Sequence, residues 1–206
     1  MAREDIMCIL MDSAVHAAAR DGLENTTTRS IGCAAGLPDS YIYRYFRDKN
    51  DLLEQAYIRA MQSFYQVILR KIQQLREQER NFEPEQYCRL IWQDVWDFLM
   101  ENPDICRFCI YYHYSPNYHS LAQEKDTYYR CKMAEILSPE FFNSVEIPLL
   151  LDMLFAIMFF MAVQVVDGKL PKNEQTDEMA FNQIYTAISA NLKRLHENKE
   201  CDSQTQ

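Results

Sequence analysis

The chain has 206 residues, of which 48% are hydrophobic and 25% charged, with 21 lysines and arginines against 30 aspartates and glutamates and a formal net charge of −9. That length suits one sizeable domain or a small head on a larger body, and an acidic balance excludes a broadly basic nucleic-acid coat. Only 4 glycines and 7 prolines occur, apolar residues recur at helical spacing nearly throughout, and no strand-like alternation, repeat or low-complexity tract interrupts them. The expected class is all-α.

The opening MAREDIMCILMDSA carries acidic residues just before its apolar part and no small-residue cleavage site. It does not read as a secretory signal, so a cytoplasmic protein is expected. A first helix is expected over 3–20, with Ile6, Leu10, Ala14 and Ala17 on one stripe, and Gly22 ends it in the left-handed conformation open to glycine. Thr27 is placed to cap a second helix through its hydroxyl, and Gly36 ends that helix after about two turns. A third helix is expected over 39–46. On it Ile42 and Phe46 stand at i,i+4 and point inward, while Ser40, Tyr43, Arg44 and Arg47 face outward. This is a helix-turn-helix pattern whose outer face suits a DNA groove. Residues 1–53 hold 6 cationic groups against 8 acidic ones, but from Thr26 to Lys49 there are four (Arg29, Arg44, Arg47, Lys49) against two (Asp39, Asp48). The presumed DNA face is thus weakly cationic, and modest, salt-dependent affinity per head follows.

A long helix then starts at 49 or 50 and continues to about 80, joining head to body. Pro84 opens a helix to about Met100, Pro103 opens a shorter one to about Tyr114, and after the Ser115-Pro116-Asn117 turn another runs from about Tyr118 to Leu137. The last two helices, 145–166 and 176–196, flank the turn-rich Asp167-Gly168-Lys169-Leu170-Pro171, and a polar tail follows. The first of them is apolar nearly all round and should be buried on more than one side. It would reach across a bilayer, but Pro148, Asp152 and Gln164 interrupt it and it has no basic flank, so a soluble core helix is expected and no membrane association. The last carries Phe181, Ile184, Tyr185, Ile188, Leu192 and Leu195 in an i,i+3/i+4 stripe. The expected divisions are 1–49 for the head, 50–200 for a helical body and 201–206 for a frayed tail.

The run G-x-E-x-T-T-x-R-x-I-x-x-x-A-G-L-x-x-x-x-I-Y-R-Y-F-x-D-K-x-D-L-L, from Gly22 to Leu53, resembles the signature of TetR-family transcriptional regulators. The resemblance implies a helix-turn-helix head on an effector-binding body. It implies that Thr27, Arg29, Tyr43, Tyr45 and Lys49 hold phosphates of double-stranded DNA, as hydroxyls, helix N-termini and a cation do without reading sequence. Tyr45 lies nearer the Phe46 face and is also placed for packing. Ser40, Tyr41 and Arg44 are better placed for base edges, where arginine pairs with guanine. Departures fall in the reading helix and its turn: Pro38 where a capping Ser or Thr is common, Asp39 for Lys, Ser40 for Gly, Tyr41 for Thr, and Gly32 for the usual Ala. The operator sequence therefore does not carry over.

In the body, Phe64, Trp92, Trp96, Phe108, Tyr111, Tyr112, Tyr128, Met153 and Ile157 are candidate walls for a small, mostly apolar effector, each also an ordinary core residue type. Asp94, Asp97, Glu101 or Asp152 would neutralise a cationic one. Helices 145–166 and 176–196 are expected to pair with their symmetry mates as a homodimer, which the resemblance also implies. The seven cysteines, 8, 33, 88, 106, 109, 131 and 201, lack a framework spacing and read as reduced thiols. Cys106, Cys109 and His113 share a helical face with His119 beyond the turn, a weak metal or redox pattern; neither a metal nor another cofactor is expected. No nucleophile elbow, phosphate-cradling glycine loop or HExxH helix occurs, and no catalytic residue is assigned. Two readings remain open: a ligand-released DNA-binding repressor, and a similar helical ligand- or protein-binding module without specific DNA binding.

Overall fold

The computed structural model describes residues 3–78, 82–118, 121–137 and 146–203; His119 lies outside them, as do the side chains of Leu192 and Leu195. The described residues form nine α-helices and no strand. In chain order these are α1 (Arg3–Asp21), α2 (Thr28–Ala35), α3 (Ile42–Tyr45), α4 (Lys49–Glu77), α5 (Pro84–Glu101), α6 (Pro103–His113), α7 (Leu121–Leu137), α8 (Glu146–Val166) and α9 (Glu174–Ser203). The last helix continues past His196 to Ser203, beyond the end expected from sequence, because no glycine or proline stands between Glu174 and Ser203 to stop it.

Two compact units divide the chain, Met1–Gln66 with Phe98–Asp126, and Val67–Asp97 with Thr127–Gln206. The first combines the three-helix head with the start of α4, the end of α5, α6 and the start of α7. Its core includes Leu10, Ala14, Ile31, Ile42, Phe46, Leu53, Tyr57, Phe64 and Phe108, all buried. Within this unit α1 packs against α2 and α6. Burying a residue such as Ile42 or Phe46 contributes roughly 1.5–3 kcal/mol, and both fall on the inward side that the i,i+4 spacing indicates.

In the second unit, α8 packs on α9. Leu154, Phe155, Phe159, Ala162 and Val163 form its buried side, while Leu149, Met153 and Phe160 are exposed. The stretch Leu149–Val166 is long and apolar enough to cross a membrane by length and composition, and a third of it is buried within the chain. The expectation that α8 is covered on more than one side is therefore not met inside a single chain.

Cys106 and Cys109 are buried in α6, and the Cys106 thiol donates to the Leu99 carbonyl at 3.1 Å. Burial pushes Cys106 up to about 12 and Cys109 well above its ordinary range. Cys33 is exposed on α2. An aromatic disulfide reagent at pH 8 is expected to modify Cys33 in the native protein and to reach Cys106 and Cys109 only in denaturant. A folded-state pKa raised above the unfolded one gives stability that is present below the unfolded value and lost as pH rises toward the folded one. The urea midpoint should accordingly fall above about pH 9, from the ordinary thiol value of 9.0. Equal midpoints at pH 8 and 10 would contradict this.

Candidate nucleic-acid interface and the buried core behind it

The head is built from local signals. Thr27 caps α2: its Oγ1 accepts the Ser30 N–H at 3.0 Å, and the Ser30 hydroxyl oxygen accepts the Thr27 N–H at 3.0 Å. Gly36 ends α2 at φ 64°, where a side chain would be strained. The next segment departs from the single helix expected over 39–46. Residues Asp39–Tyr41 form a 3-10 turn, α3 covers only Ile42–Tyr45, and Phe46 is already extended. Pro38 explains the start, since it supplies no side-chain cap and its carbonyl instead accepts the Tyr41 N–H at 3.0 Å, an i to i+3 bond. Gly32 explains the docking. A Cβ there would stand 2.8 Å from the Leu37 carbonyl oxygen and 3.1 Å from the Asp39 nitrogen, so only glycine lets the turn approach α2 this closely. At the start of α4, the Asp48 carboxylate accepts the Asp51 N–H and the Asp51 carboxylate accepts the Arg47 N–H, a reciprocal cap.

On the outer surface of this head Thr27, Arg29, Ser40, Tyr43, Arg44 and Arg47 are exposed, with Tyr43 at 61%, while Tyr41 and Tyr45 are half-buried. The Arg44 guanidinium lies over the Tyr41 ring, 5.1 Å from its centroid. Arg47 pairs with Asp51 at 3.5 Å. Lys49 is not simply a surface cation: its ammonium donates to the Thr26 carbonyl at 2.8 Å, tying α4 to the turn before α2. An ammonium has three donors, so two remain for a phosphate.

The body residues divide between the units. Phe64, Phe108 and Tyr112 are buried in the first, where Tyr111 is exposed. Trp92 and Trp96 are buried in the second and stack at 5.0 Å; the Trp92 indole N–H donates to Asp177 at 2.6 Å, and its ring lies 6.3 Å from Phe181. Tyr128 and Met153 are exposed there and Ile157 is half-buried. Two of the carboxylates named as neutralising groups are engaged, Asp94 with Lys71 at 2.8 Å and Asp152 with Arg130. Asp97 and Glu101 are exposed. Sequence spacing does not separate these roles, because a helical stripe shows that a ring is covered but not by what.

One constellation escaped the sequence reading. Asp126 of α7 is 2% exposed and accepts the Tyr57 hydroxyl at 2.5 Å and the Tyr118 hydroxyl at 2.9 Å. With its one proton directed to Asp126, the Tyr57 oxygen is left to accept from the His113 ring nitrogen Nδ1 at 3.1 Å. Burial first, and then the Asp126 charge, raise the Tyr57 hydroxyl well above its ordinary range. The Glu54 carboxylate also accepts the Ala122 N–H at the start of α7. The available signal was Asp126 itself, a charge standing at helical spacing between the buried Ala122 and Met133. His113 is thus engaged with tyrosine and carboxylate, and among the described residues no three His, Cys, Asp or Glu side chains gather as metal ligands.

Comparison with known proteins bears on the head and on the fold. Residues 10–56 match the family described as bacterial regulatory proteins, tetR family. An uncharacterized HTH-type transcriptional regulator of Haemophilus influenzae is 30% identical over 110 residues, 51% of this chain and 53% of the relative. The chain thus spans about half the length of that curated relative. The fold is similar to a TetR family transcription regulator from Marinobacter aquaeolei VT8, with a TM-score of 0.72 and 19% identity over 90% of this chain and 96% of that one. It is also similar to the transcriptional regulator FadR from Bacillus subtilis, solved in complex with stearoyl-CoA, with a TM-score of 0.60 and 16% identity over 86% and 96% of the two chains.

Proposed function

We propose that this chain, whose residues 10–56 match the tetR family of bacterial regulatory proteins, is a cytoplasmic homodimeric transcription regulator of that family, a repressor released from a palindromic operator by a small, mostly apolar effector. The observation that carries this reading is the two-sided helix-turn-helix: Ile42 and Phe46 are buried under it while Ser40, Tyr43, Arg44 and Arg47 project from it. Thr27 and Arg29 at the N-terminus of α2, with Tyr43, Tyr45 and Lys49, hold phosphates; Ser40 and Arg44 face base edges. The exposed apolar side chains Leu149, Met153 and Phe160 on α8 suit a second copy of the chain, and two heads compensate for the few phosphates each neutralises. That a protein of similar fold binds stearoyl-CoA supports an effector with a long apolar part. Such an effector lowers operator affinity by favouring a head separation that does not match the half-sites.

Selection of bound sequences from a random duplex pool, at low and moderate salt, tests this reading. Enrichment of a palindrome by the wild type, and its loss on Tyr43→Ala, is the expected result. The acidic balance of residues 1–53, six cationic groups against eight, favours one competing reading, a ligand- or protein-binding module without specific DNA binding. No enrichment at either salt concentration would favour that alternative.

A further inference from the structure

We propose that Tyr41 is a positioning residue that holds the Arg44 guanidinium ready to read one guanine in each operator half-site; this rests on the DNA-binding reading and adds which base is read and what aims the reader.

The cationic groups of the recognition segment differ in what they have left to offer. Arg47 is paired with Asp51 through Nε, and Lys49 donates to the Thr26 carbonyl. Arg44 has no carboxylate partner among the described residues, and its contact is with the Tyr41 ring, 5.1 Å from the centroid. That distinction matters chemically. A carboxylate partner occupies the N–H edge of a guanidinium, whereas an aromatic ring occupies its flat face and leaves the donor fork open. The open fork fits O6 and N7 of guanine in the major groove, a match that no other base edge reproduces.

The ring is itself held. Tyr41 is half-buried, and its N–H is bonded to the Pro38 carbonyl at 3.0 Å. The proline ring restricts φ at residue 38, and the close approach at Gly32 seats Asp39 against the backbone of α2. Each link removes freedom from the next, from α2 through the turn to the ring and then to the guanidinium. An exposed arginine otherwise gives up several rotatable bonds when it binds, so stacking it beforehand favours the bound geometry. Tyr41, named from sequence as a base contact, acts through Arg44.

Two measurements test this, one without DNA. The heteronuclear NOE of the Arg44 Nε–H should be higher in the wild type than in Tyr41→Ala, and kept in Tyr41→Phe, which retains the ring. In the duplex-pool selection, the wild-type site should contain a guanine whose preference over other bases falls about tenfold in Tyr41→Ala and in Arg44→Lys, at that position alone. Tyr41→Phe should match the wild type within about twofold. Tyr41→Leu, which keeps the covered apolar surface, replaces Tyr41→Ala if that variant does not fold. An NOE unchanged by loss of the ring overturns the stacking. A lowered NOE with an unaltered preference overturns the positioning role while leaving the DNA-binding reading intact. A wild-type pool without any enriched sequence sinks both.

Discussion

Replacing Asp126 with alanine is expected to destabilise the protein by about 3 kcal/mol, because it removes the carboxylate that accepts from the buried Tyr57 hydroxyl and leaves that hydroxyl's hydrogen bonding incomplete. Tyr57 is fully buried, so its O–H has no water to turn to, and Tyr118 loses the same acceptor. The network ties Tyr57 on α4 to a sequence-distant group, His113 at the end of α6, Tyr118 in the following turn and Asp126 on α7. Its loss should therefore loosen the packing of three helices and not only one contact. Asp126→Asn retains an acceptor and should cost less, about 1–2 kcal/mol. Tyr57→Phe removes the donor together with its need for a partner, so the double variant Tyr57→Phe/Asp126→Ala should be less destabilised than the sum of the single ones. Urea unfolding followed by circular dichroism at pH 7 gives each value. A cost below about 0.5 kcal/mol for Asp126→Ala would mean that water replaces the carboxylate at little penalty, contrary to the burial seen here.

The second large effect is expected at Gly32, where two terms of opposite sign compete. Alanine is favoured over glycine within a helix by about 1 kcal/mol. Against this, its Cβ would lie 2.8 Å from a backbone carbonyl oxygen, and overpacking against atoms that cannot rotate away costs about 1–3 kcal/mol. The clash should win, giving a net destabilisation of about 1 kcal/mol. Relief requires the Leu37–Asp39 turn to move away from α2. That movement carries the 3-10 turn and Tyr41 with it, so under the proposed DNA-binding role the affinity for the selected duplex should fall by more than tenfold, a larger change than the stability loss alone produces while most molecules remain folded. Melting temperature and operator affinity measured on the same preparation separate the two. Gly32→Ala with wild-type affinity would show that the docked position of the turn is not the one DNA selects.

These expectations rest on features of different legibility. The caps Thr27 and Gly36, the inward pair Ile42 and Phe46, the helix starts at Pro84 and Pro103, and the all-helical class were readable because each depends on neighbours within a turn or two of helix. Even the 3-10 start had a visible cause in Pro38, although proline alone did not distinguish an early helical position from an i to i+3 turn. The match to the regulator family likewise lies where local signals are dense, over residues 10–56.

Tertiary structure decided what those elements do with their side chains. Lys49 reads as a cation awaiting phosphate, and only the return of the chain across 23 residues brings the Thr26 carbonyl to its ammonium. Trp92 reads as a candidate pocket wall until α9 brings Asp177 and Phe181 to it. Asp126 drew no reading from the sequence, and only packing brings Tyr57 of α4 and His113 of α6 to it. By itself the sequence determined the helices, their ends and the outward face of the head, since hydrogen bonds and steric limits within a few residues set them. Which polar groups are buried together, and which cation stays open for a partner, was decided only by packing, because those energies arise between residues that the chain holds far apart.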